Sequence, residues 1–328
     1  MALTPEQWDE RIGRRVRLRD LHVLLSVTQL GSMAKAAKAL AISQPAISKS
    51  IADLENALGV QLLDRGPSGV QATAYGAALV RRSLASFDEL RQGVAEIQCL
   101  AGTLAGEVRV GCNDSLTVSL LPGAIEKLAE DHPGVRVQIT HASRPISAEI
   151  KELRDRNLDV IVGRGLFPEA DLDEEVLFHE RLVVVTGAQS RWAGRRSIEL
   201  SELMAEKWIL HSPREAPGSL VREAFRARGL DLPERGLVSM SFHLRQVLLT
   251  TGEYMTVVPD SLVHVFNAHG KTITILPIDL GIDARPVALF TLKNRTLSPV
   301  VEVFLRAVRL AAARCRDVSS KTCAPCKE

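Results

Sequence analysis

A short run of polar side chains near the amino terminus has the chemistry needed to read DNA. The run Ser43-Gln44-Pro45-Ala46-Ile47-Ser48-Lys49 contains an amide, two hydroxyls and a cation. Amides and hydroxyls hydrogen-bond to base edges, whereas cations bind phosphates. Ser43 is suited to cap a helix that holds Pro45 in its first turn, where proline is tolerated. The N-terminal end of that helix would present its polar groups to a major groove.

A second set of polar residues lies where an α/β domain binds small molecules. Ligands in open α/β sheets bind at the carboxyl ends of strands, where helix N-termini offer free amide donors. Some residues are predicted to follow such strand ends, and others to line a binding cleft beside them. They are Ser115, Ser143, Arg144, Arg164, His211, Ser212, Ser239, Met240 and Pro259. This mixture suits a small organic acid, and a sugar is the alternative. Each residue alone is equally well explained as a helix cap or a turn residue.

Three short helical patterns position the DNA-reading run. The first ends at Gly31, a residue that readily adopts the left-handed conformation of helix exits. Ser32 can cap the second, and Lys35 and Lys38 face outward from it. The positions predicted to be buried in the three helices are Leu18, Leu21 and Leu25; Met33, Ala36, Ala37 and Leu40; and Ile47, Ile51, Leu54 and Leu58. This order predicts a helix-turn-helix with the third helix as the reader, although a well-capped helix of an ordinary α-helical domain remains an alternative.

One long helix is predicted after Gly76. Apolar residues recur in it at alternating steps of three and four, namely Val80, Leu84, Phe87, Leu90, Val94 and Ile97. Such a stripe is typical of a helix that pairs with another helix. The alternative is that the helix docks on its own domain.

The pattern of the remaining chain predicts two α/β subdomains. A break at 102–106 precedes strands at 108–110, 135–140 and 159–163, which alternate with helices at 118–132 and 146–157. The alternation predicts a mostly parallel sheet with helices on both faces. It repeats with strands at 182–186, 208–211 and 255–258. The chain then returns to the first subdomain near His269, with a strand at 272–276 and a last helix to about Arg314.

Charge supports this division. Residues 1–82 hold eight arginines and three lysines against four aspartates and three glutamates, or +4, so a chain of net charge +2 leaves about −2 for the rest. Cations flank the helix-turn-helix, where phosphate contacts would be needed: Arg14, Arg15, Arg17, Arg19, Lys35, Lys38 and Lys49. The first nineteen residues carry charges throughout, so we expect no export segment, no membrane partner and a cytoplasmic location.

Motifs of catalysis are lacking. The sequence has no Gly-x-Ser-x-Gly elbow, no phosphate-cradling glycine loop and no His-Glu-x-x-His, so we expect no enzyme activity and no cofactor. Cys323 and Cys326 have the spacing of zinc and thiol-redox motifs, with Cys315 as a third candidate ligand. The polar tail lacks an evident fourth ligand, so we expect no metal and a disordered end at 317–328, with a metal or redox sensor as the alternative.

The helix-turn-helix and the segments after it resemble the LysR-type transcriptional regulators. The match runs from Leu18 to Glu55 and continues through residues 58–59, 62–65 and 73–76. In that family a wing beside the reader helix touches the DNA, and Arg65 stands at the usual position of an arginine. The chain departs from the family at Leu63, where a phenylalanine is usual, and it lacks a second basic residue between 66 and 72. Arg65 is therefore expected to be the main charged contact of the wing.

The resemblance implies further partners and roles. Family members pair their long helices antiparallel into dimers and commonly tetramers, which sets two reader heads on dyad-symmetric DNA. They hold an effector in a domain that resembles periplasmic solute-binding proteins, and Ser115 aligns with their effector-binding serine or threonine. Activation is the family's usual mode, with RNA polymerase as a further partner. Segments near 276–279, 285–287 and 297–299 resemble a subgroup that responds to aromatic-catabolism acids or to sugars.

The sequence thus predicts an N-terminal all-α winged helix-turn-helix with a linker helix, then an α/β effector domain of two Rossmann-like subdomains. The expected boundaries are 1–73, 74–101 and 102–316, with subdomain I at 106–162 and 268–316 and subdomain II at 163–267. The residues expected to contact DNA are Ser32, Lys35, Ser43, Gln44, Pro45, Ser48, Lys49 and Arg65. The expected function is effector-modulated regulation of transcription; the alternative is a solute-binding module without specific DNA readout.

Overall fold

The computed structural model describes residues 12–66, 69–102, 104–141, 146–212, 214, 218–239 and 241–321, with side chains to residue 316. The chain divides into two compact units, one to Val94 and one from Ala95. The predicted Ser143, Arg144 and Met240 and the tail cysteines Cys323 and Cys326 lie outside the described residues.

Three helices form the core of the first unit. They are α1 (Leu18–Leu30), α2 (Met33–Ala39) and α3 (Gln44–Leu58). Gly31 ends α1 in the left-handed conformation, with φ of 63°, as its lack of a Cβ allows. The predicted burial of α2 and α3 is confirmed for Met33, Ala36, Ala37, Ile47, Ile51 and Leu54, whereas Leu40 and Leu58 are half-buried. In α1 the prediction was wrong for Leu18, which is 50% exposed, because Val23, Leu24 and Val27 fill the core instead.

A two-stranded wing follows α3. Strands β1 (Leu63–Gly66) and β2 (Gly69–Ala72) pair antiparallel. The carboxylate of Glu55 on α3 accepts hydrogen bonds from the backbone N–H groups of Leu62 (2.8 Å) and Leu63 (3.3 Å), so α3 and the wing are held together. The resemblance to a winged helix-turn-helix is confirmed in this geometry.

Helix α4 (Ala74–Leu100) begins against the chain that enters the wing. The hydroxyl of Thr73 accepts a hydrogen bond from the N–H of Gly76 (3.0 Å) and donates one to the carbonyl of Gln61 (2.8 Å). A Cβ at position 76 would lie 1.9 Å from the carbonyl oxygen of Leu62. Gly76 is therefore the residue that lets α4 approach the wing.

The Gly76→Ala variant is expected to unfold the first unit more easily, by about 1–3 kcal/mol or more, because the methyl group meets backbone that cannot rotate away. Gly93 in the same helix has open space around its missing Cβ. Gly93→Ala is therefore the matched control, expected to stabilise by roughly 0.5–1 kcal/mol. Denaturant unfolding of both variants measures the difference, and destabilisation of equal size in the two would refute the packing argument.

The apolar stripe predicted in α4 lies largely in solvent toward its C-terminal end. Of the predicted residues, Leu90 is 51% exposed, Val94 56% and Ile97 67%, and Leu100, which was not predicted as part of the stripe, is 81% exposed. A run of exposed apolar side chains on one helix marks a surface for association.

The second unit contains the remaining helices and strands of the described chain. In chain order they are β3 (Gly106–Cys112), α5 (Asp114–Ser119), α6 (Leu121–Asp131), β4 (Val135–His141), α7 (Ile146–Arg154), β5 (Val160–Arg164), β6 (Leu172–Glu180), β7 (Leu182–Gly187), a 3₁₀ turn (Leu200–Leu203), β8 (Lys207–Leu210), α8 (Gly218–Arg226), β9 (Gly236–Val238), α9 (Phe242–Thr250), β10 (Tyr254–Pro259), α10 (Ser261–Phe266), β11 (Ile273–Ile275), β12 (Arg285–Leu292) and α11 (Pro299–Lys321).

Two helix predictions are corrected by these bounds. The predicted helix at 118–132 is replaced by two helices, since α5 begins earlier, at Asp114, and ends at Ser119, and α6 then begins at Leu121 with Pro122 in its first turn. The last helix continues to Lys321 rather than ending near Arg314, so residues 317–321 are helical and the predicted disordered end began too early. This segment contains no glycine or proline that would stop a helix.

The strands of the second unit form two sheets of five, as the prediction of two α/β subdomains requires. The strand orders are β4-β3-β5-β12-β6 and β11-β7-β10-β8-β9. Each sheet is mixed, which corrects the expectation of mostly parallel sheets. In the first, β3 pairs parallel with β4 and β5, whereas β12 pairs antiparallel with β5 and β6. In the second, β10 pairs parallel with β8 and antiparallel with β7.

The subdomain boundaries also differ from the predicted ones. Strand β6 belongs to the first sheet, so the chain crosses to the second subdomain at Arg181 rather than at 163. Strand β11 pairs with β7 in the second sheet, so the return comes between β11 and β12 rather than near 268. Strand β12 was not predicted because Pro286 interrupts its apolar pattern, although proline near the start of a strand costs little pairing.

Each subdomain has its own apolar core. In the second, Trp208 and Phe225 are fully buried with their rings 5.5 Å apart and nearly perpendicular. Across the described residues, no helix combines the length and the apolar character that crossing a membrane requires.

Candidate functional site

The N-terminal end of α3 presents a polar surface. Ser43 caps the helix by accepting a hydrogen bond from the N–H of Ala46 (3.4 Å). Gln44, Pro45 and Lys49 are exposed, and the opposite face of the helix is fully buried at Ile47 and Ile51. Because the buried face fixes the helix, the exposed residues are held where a DNA groove could reach them.

Ser48 differs from its neighbours. It is half-buried, and its hydroxyl donates to the sulfur of Met33 at 3.6 Å. Its hydroxyl therefore serves the contact between α2 and α3 in this structure. Ser32 likewise caps α2, accepting from the N–H of Lys35 at 3.4 Å, while the Lys35 side chain is exposed.

A basic groove lies beside α3. Four arginines, from the segment before α1 and from the first turn of α1, line it together with Lys49: Arg14, Arg15, Arg17 and Arg19. Asp20 and Asp53 supply the only carboxylates among the residues that line this groove. Arg65 is exposed on the wing strand β1, where it pairs across the hairpin with Val70. Cations thus flank the exposed end of α3, as phosphate contacts require.

A second polar cluster lies at the carboxyl edge of the first sheet of the other unit. Arg164, the last residue of β5, donates from Nη1 to the hydroxyl of Ser115 (2.6 Å) and to the side-chain oxygen of Asn113 (3.1 Å). Asn113 caps α5 by accepting from the N–H of Leu116 at 3.2 Å. The two predicted residues Ser115 and Arg164 are therefore in direct contact, because the parallel strands β3 and β5 end at the same edge of the sheet.

This cluster continues into the second subdomain. Nε of Arg164 donates to the carboxylate of Glu180 (2.5 Å), and the other oxygen of Glu180 accepts from the hydroxyl of Ser261 at the start of α10. Helix α10 packs against α5, and Val118 of α5 joins the apolar core around it. Glu180 is only 3% exposed. The Arg164–Glu180–Ser261 chain is therefore a buried polar link between the two subdomains.

The carboxyl edge of the second sheet adds a third group. His211 directly follows β8, and Ser239 follows β9. The carbonyl of Ser239 accepts a hydrogen bond from Nη2 of Arg245 (3.1 Å), a residue of α9 that is 4% exposed. Burial, together with the positive charges of Arg245 and Arg164, lowers the pKa of His211 to about 3, so this imidazole is neutral at pH 7. Burial also lowers the pKa of Arg245, to about 10.

The other predicted ligand residues have local roles in the structure. The hydroxyl of Ser212 accepts from the N–H of Arg214 at 3.4 Å, which is a turn contact. Pro259 is buried at the end of β10, opposite Leu182 of β7. The hydroxyl of Ser239 accepts from the N–H of Ser241 at 3.1 Å.

Cys112 and Cys315 are free thiols, and burial raises the pKa of Cys315 to about 11. Burial also raises the pKa of Cys112 above its usual range. Because their pKa values are raised, the side chains of Cys112 and Cys315 are protonated thiols at pH 7, and the reactive thiolate form is not populated. Among the described residues, no group of three potential ligands is arranged to hold a metal ion.

Sequence reasoning missed Glu180, Asn113 and Arg245. Arg245 lies on a helix, whereas the rule of strand ends selects only residues that directly follow strands. Glu180 was missed because β6 was not recognised as a strand, so its carboxyl end was not considered. Asn113 was assigned to a turn, and the N-cap preference of asparagine was the signal that could have identified it.

Comparison with protein families covers most of the chain. Residues 18–77 match the family described as "Bacterial regulatory helix-turn-helix protein, lysR family", and residues 101–313 match "LysR substrate binding domain". The chain is 28% identical over 312 residues to the transcriptional regulator GbpR of Azospirillum brasilense, covering 94% of this chain and 90% of that protein. It is 26% identical over 308 residues to the transcriptional regulator PcaQ of Agrobacterium fabrum, covering 93% and 98%.

Solved structures share the fold. A full-length variant of OxyR from Pseudomonas aeruginosa superposes with a TM-score of 0.64 at 24% identity, covering 90% of this chain and 98% of that one. Full-length CbnR complexed with its target DNA superposes with a TM-score of 0.58 at 20% identity, covering 90% and 100%.

Proposed function

The chain belongs to the LysR family, so it is a DNA-binding transcriptional regulator with an effector-binding domain, and we propose which residues carry these two roles. Gln44 and Pro45 read base edges in a major groove. Lys49, Lys35 and the arginines of the basic groove bind phosphates, and Arg65 binds beside them from the wing. The observation that carries this assignment is the exposed polar end of α3, whose other face is fixed in the core.

Gln44→Ala is expected to relax sequence preference, because an amide that hydrogen-bonds a base edge contributes about 1–3 kcal/mol of discrimination. Lys49→Ala is expected to weaken binding to all sequences and to lower the slope of log affinity against log salt by about one unit, because it removes one phosphate contact. Binding titrations on operator and random DNA at several salt concentrations measure both effects.

Asp53→Asn is the control for the charge of the groove. It keeps the size of a groove residue and removes a negative charge, so it should strengthen binding on both DNAs without changing their ratio. Equal losses on operator and random DNA for both Gln44→Ala and Lys49→Ala would contradict the division of roles.

In the effector domain, a small organic acid binds between the two subdomains, at the contact of Ser115 with Arg164 and beside His211, on which the charge of Arg164 acts. Its binding shifts the population of quaternary arrangements and thereby alters how two reader heads grip a promoter. The ligand's influence is limited by its differential affinity for the two arrangements, typically ~1–3 kcal/mol.

The proposed assembly is a homodimer or homotetramer that pairs through α4. Its exposed apolar stripe and the need for two heads on dyad-symmetric DNA support this assembly. The protein acts in the cytoplasm, mainly as an activator that contacts RNA polymerase. It does no chemistry on its effector, since Ser115 is engaged by Arg164 and Asn113 rather than by a general base.

A footprint on the DNA upstream of the protein's own gene tests the function. We expect the purified protein at near-physiological salt to protect a dyad-symmetric site, and one compound from a panel of organic acids and sugars to shorten or shift the protection. Protection no greater than on random DNA, from a correctly folded sample, would refute the proposal.

A further inference from the structure

Arg245 is a buried cation that has no counter-ion in the described part of the chain. Its Nη2 donates to the carbonyl of Ser239, and its Nε is buried without a hydrogen-bond partner there. No carboxylate of the described residues pairs with it. A buried, unpaired charge with an unsatisfied donor is unfavourable, and a bound ion or ligand is one way to satisfy it.

Arg164 shows the same deficiency. Its Nη2 is buried without a hydrogen-bond partner among the described residues. Its ion-pair partner in that part of the chain is Glu180, which is shared with the hydroxyl of Ser261. The other acid near Glu180 is Asp260, which lies 3.9 Å from Arg181. Among the described residues, the ion pair that involves these two guanidinium groups is Arg164–Glu180, and Arg245 has no carboxylate partner there.

The two arginines are each connected to a residue at one edge of the second sheet, Arg245 directly and Arg164 through Glu180. Strands β10, β8 and β9 are consecutive and parallel, so their carboxyl ends meet at that edge. Ser261, just beyond β10, donates a hydrogen bond to Glu180, which in turn pairs with Arg164. Ser239, just beyond β9, accepts a hydrogen bond from Arg245 through its carbonyl. Adjacent strands are about 4.8 Å apart, so these two attachment points are separated by roughly 10 Å.

His211 lies between these points, at the end of β8. The charges of both arginines act on its imidazole and help to hold the pKa low, so the two guanidinium groups share one small region. Because the imidazole is neutral there, it adds neither a positive nor a negative charge to the cleft.

We propose that the effector carries two carboxylate groups, one bound by Arg164 and Ser115 and the other by Arg245. This inference rests on the proposed function, because it names the class of effector for the same cleft. Each carboxylate would supply acceptors to one unsatisfied guanidinium N–H group, in the charge-assisted geometry that arginine favours. A sugar would supply no negative charge to Arg245, which has no carboxylate partner among the described residues.

Such an effector would also join the two subdomains. Arg164 belongs to β5 of the first sheet, whereas Arg245 belongs to α9 of the second subdomain. A dicarboxylate that engages both arginines stabilises one relative position of the subdomains, whereas a monocarboxylate engages one side only. The second carboxylate is therefore what gives the ligand its differential affinity for one conformation.

Calorimetric titration of the full-length protein tests the inference. The probes are malonate, succinate, glutarate and adipate, each compared with the monocarboxylate of the same carbon number. We expect at least one dicarboxylate to bind about 30-fold or more tightly than its matched monocarboxylate, as a charged hydrogen bond of roughly 2 kcal/mol implies. Preferences below about threefold for every pair would overturn the proposal, whatever the variants do.

The variants locate the second carboxylate. Arg245→Gln is expected to weaken the preferred dicarboxylate by about 10- to 100-fold and the monocarboxylate by less than about threefold, because it removes a charged hydrogen bond made only to the second acid group. Arg245→Lys keeps the charge and should recover part of the loss. Arg196→Gln removes an exposed cation from the same subdomain and should change neither affinity. Equal loss for both ligands in Arg245→Gln would overturn the assignment.

The footprint separates this inference from the function on which it rests. If a monocarboxylate or a sugar shifts the footprint and the dicarboxylates do not bind, the regulator function stands and the two-carboxylate effector is overturned. If a dicarboxylate binds through Arg245 and the footprint is unchanged at saturation, the inference is supported and the proposed role of the cleft in regulation fails.

Discussion

Replacing both Val94 and Ile97 with aspartate is expected to lower the affinity for a complete dyad-symmetric site by about 10²- to 10⁴-fold. Both side chains are more than half exposed on α4 in the single chain, in line with Leu90. If α4 pairs two subunits, the second reader head binds as an intramolecular event with a high effective concentration. Two charges on the stripe prevent that pairing, because they would be buried without partners. Binding to an isolated half-site should change little.

The matched control separates loss of pairing from simple repulsion. The Val94→Lys and Ile97→Lys pair also puts charges on the stripe, but these attract DNA. If pairing is what α4 supplies, the lysine variant loses full-site affinity as well, and sedimentation shows smaller species for both variants. A lysine variant that binds the full site more tightly than the native protein would show that the aspartate effect was electrostatic and that α4 is not the interface.

The elements that could be predicted were those with local signals. The helix-turn-helix carries caps at Ser32 and Ser43 and a regular apolar spacing, and both caps are present in the structure. The stripe on α4 follows from a period of about 3.6 residues and needs no knowledge of the rest of the fold. Gly76 was recognised only as part of a resemblance, since the carbonyl it approaches, that of Leu62, is placed by tertiary packing.

The sheets were harder to predict because strand pairing is not local. Alternation of strands and helices indicates two α/β subdomains, but it does not reveal that β6 and β12 pair antiparallel at the edge of the first sheet. That error hid Glu180, which lies at the end of β6. The candidate site was accordingly half predicted: Ser115 and Arg164 follow strands, whereas Arg245 reaches the cleft from a helix whose position depends on the second sheet.

Glu149 is a buried carboxyl group outside the cleft contacts. It lies on α7, 7% exposed, and its Oε1 has no hydrogen-bond partner among the described residues. A Cβ built at Gly111 of β3 would lie 3.6 Å from its carboxyl carbon, so the carboxyl group sits over that strand. Burial raises the pKa of Glu149 from 4.5 to about 7. The neighbouring thiol of Cys112 stays neutral because burial raises its pKa as well.

Glu149→Gln is expected to make the free energy of unfolding of the effector domain larger at about pH 8 and nearly unchanged at about pH 4.5. A carboxyl group whose pKa is higher in the folded state binds its proton more tightly there, so its contribution is fully present below pH 4.5 and is lost as the pH rises through about 7. The loss is on the order of 3 kcal/mol, and glutamine, which cannot ionise, avoids it. Denaturant unfolding at both pH values measures the difference.

Glu152→Gln on the same helix is the control for Glu149→Gln. Its side chain accepts from the amide of Asn157 at 2.7 Å, a bond that glutamine can keep, and we expect changes within about 0.5 kcal/mol at both pH values. The prediction is wrong if the free energy of unfolding changes between about pH 4.5 and pH 8 by the same amount in the native protein and in Glu149→Gln. That result would mean that Glu149 ionises in the folded protein at no cost in stability. The carboxyl group would then have to be reached by water in solution, since burial is what raises its pKa in the structure.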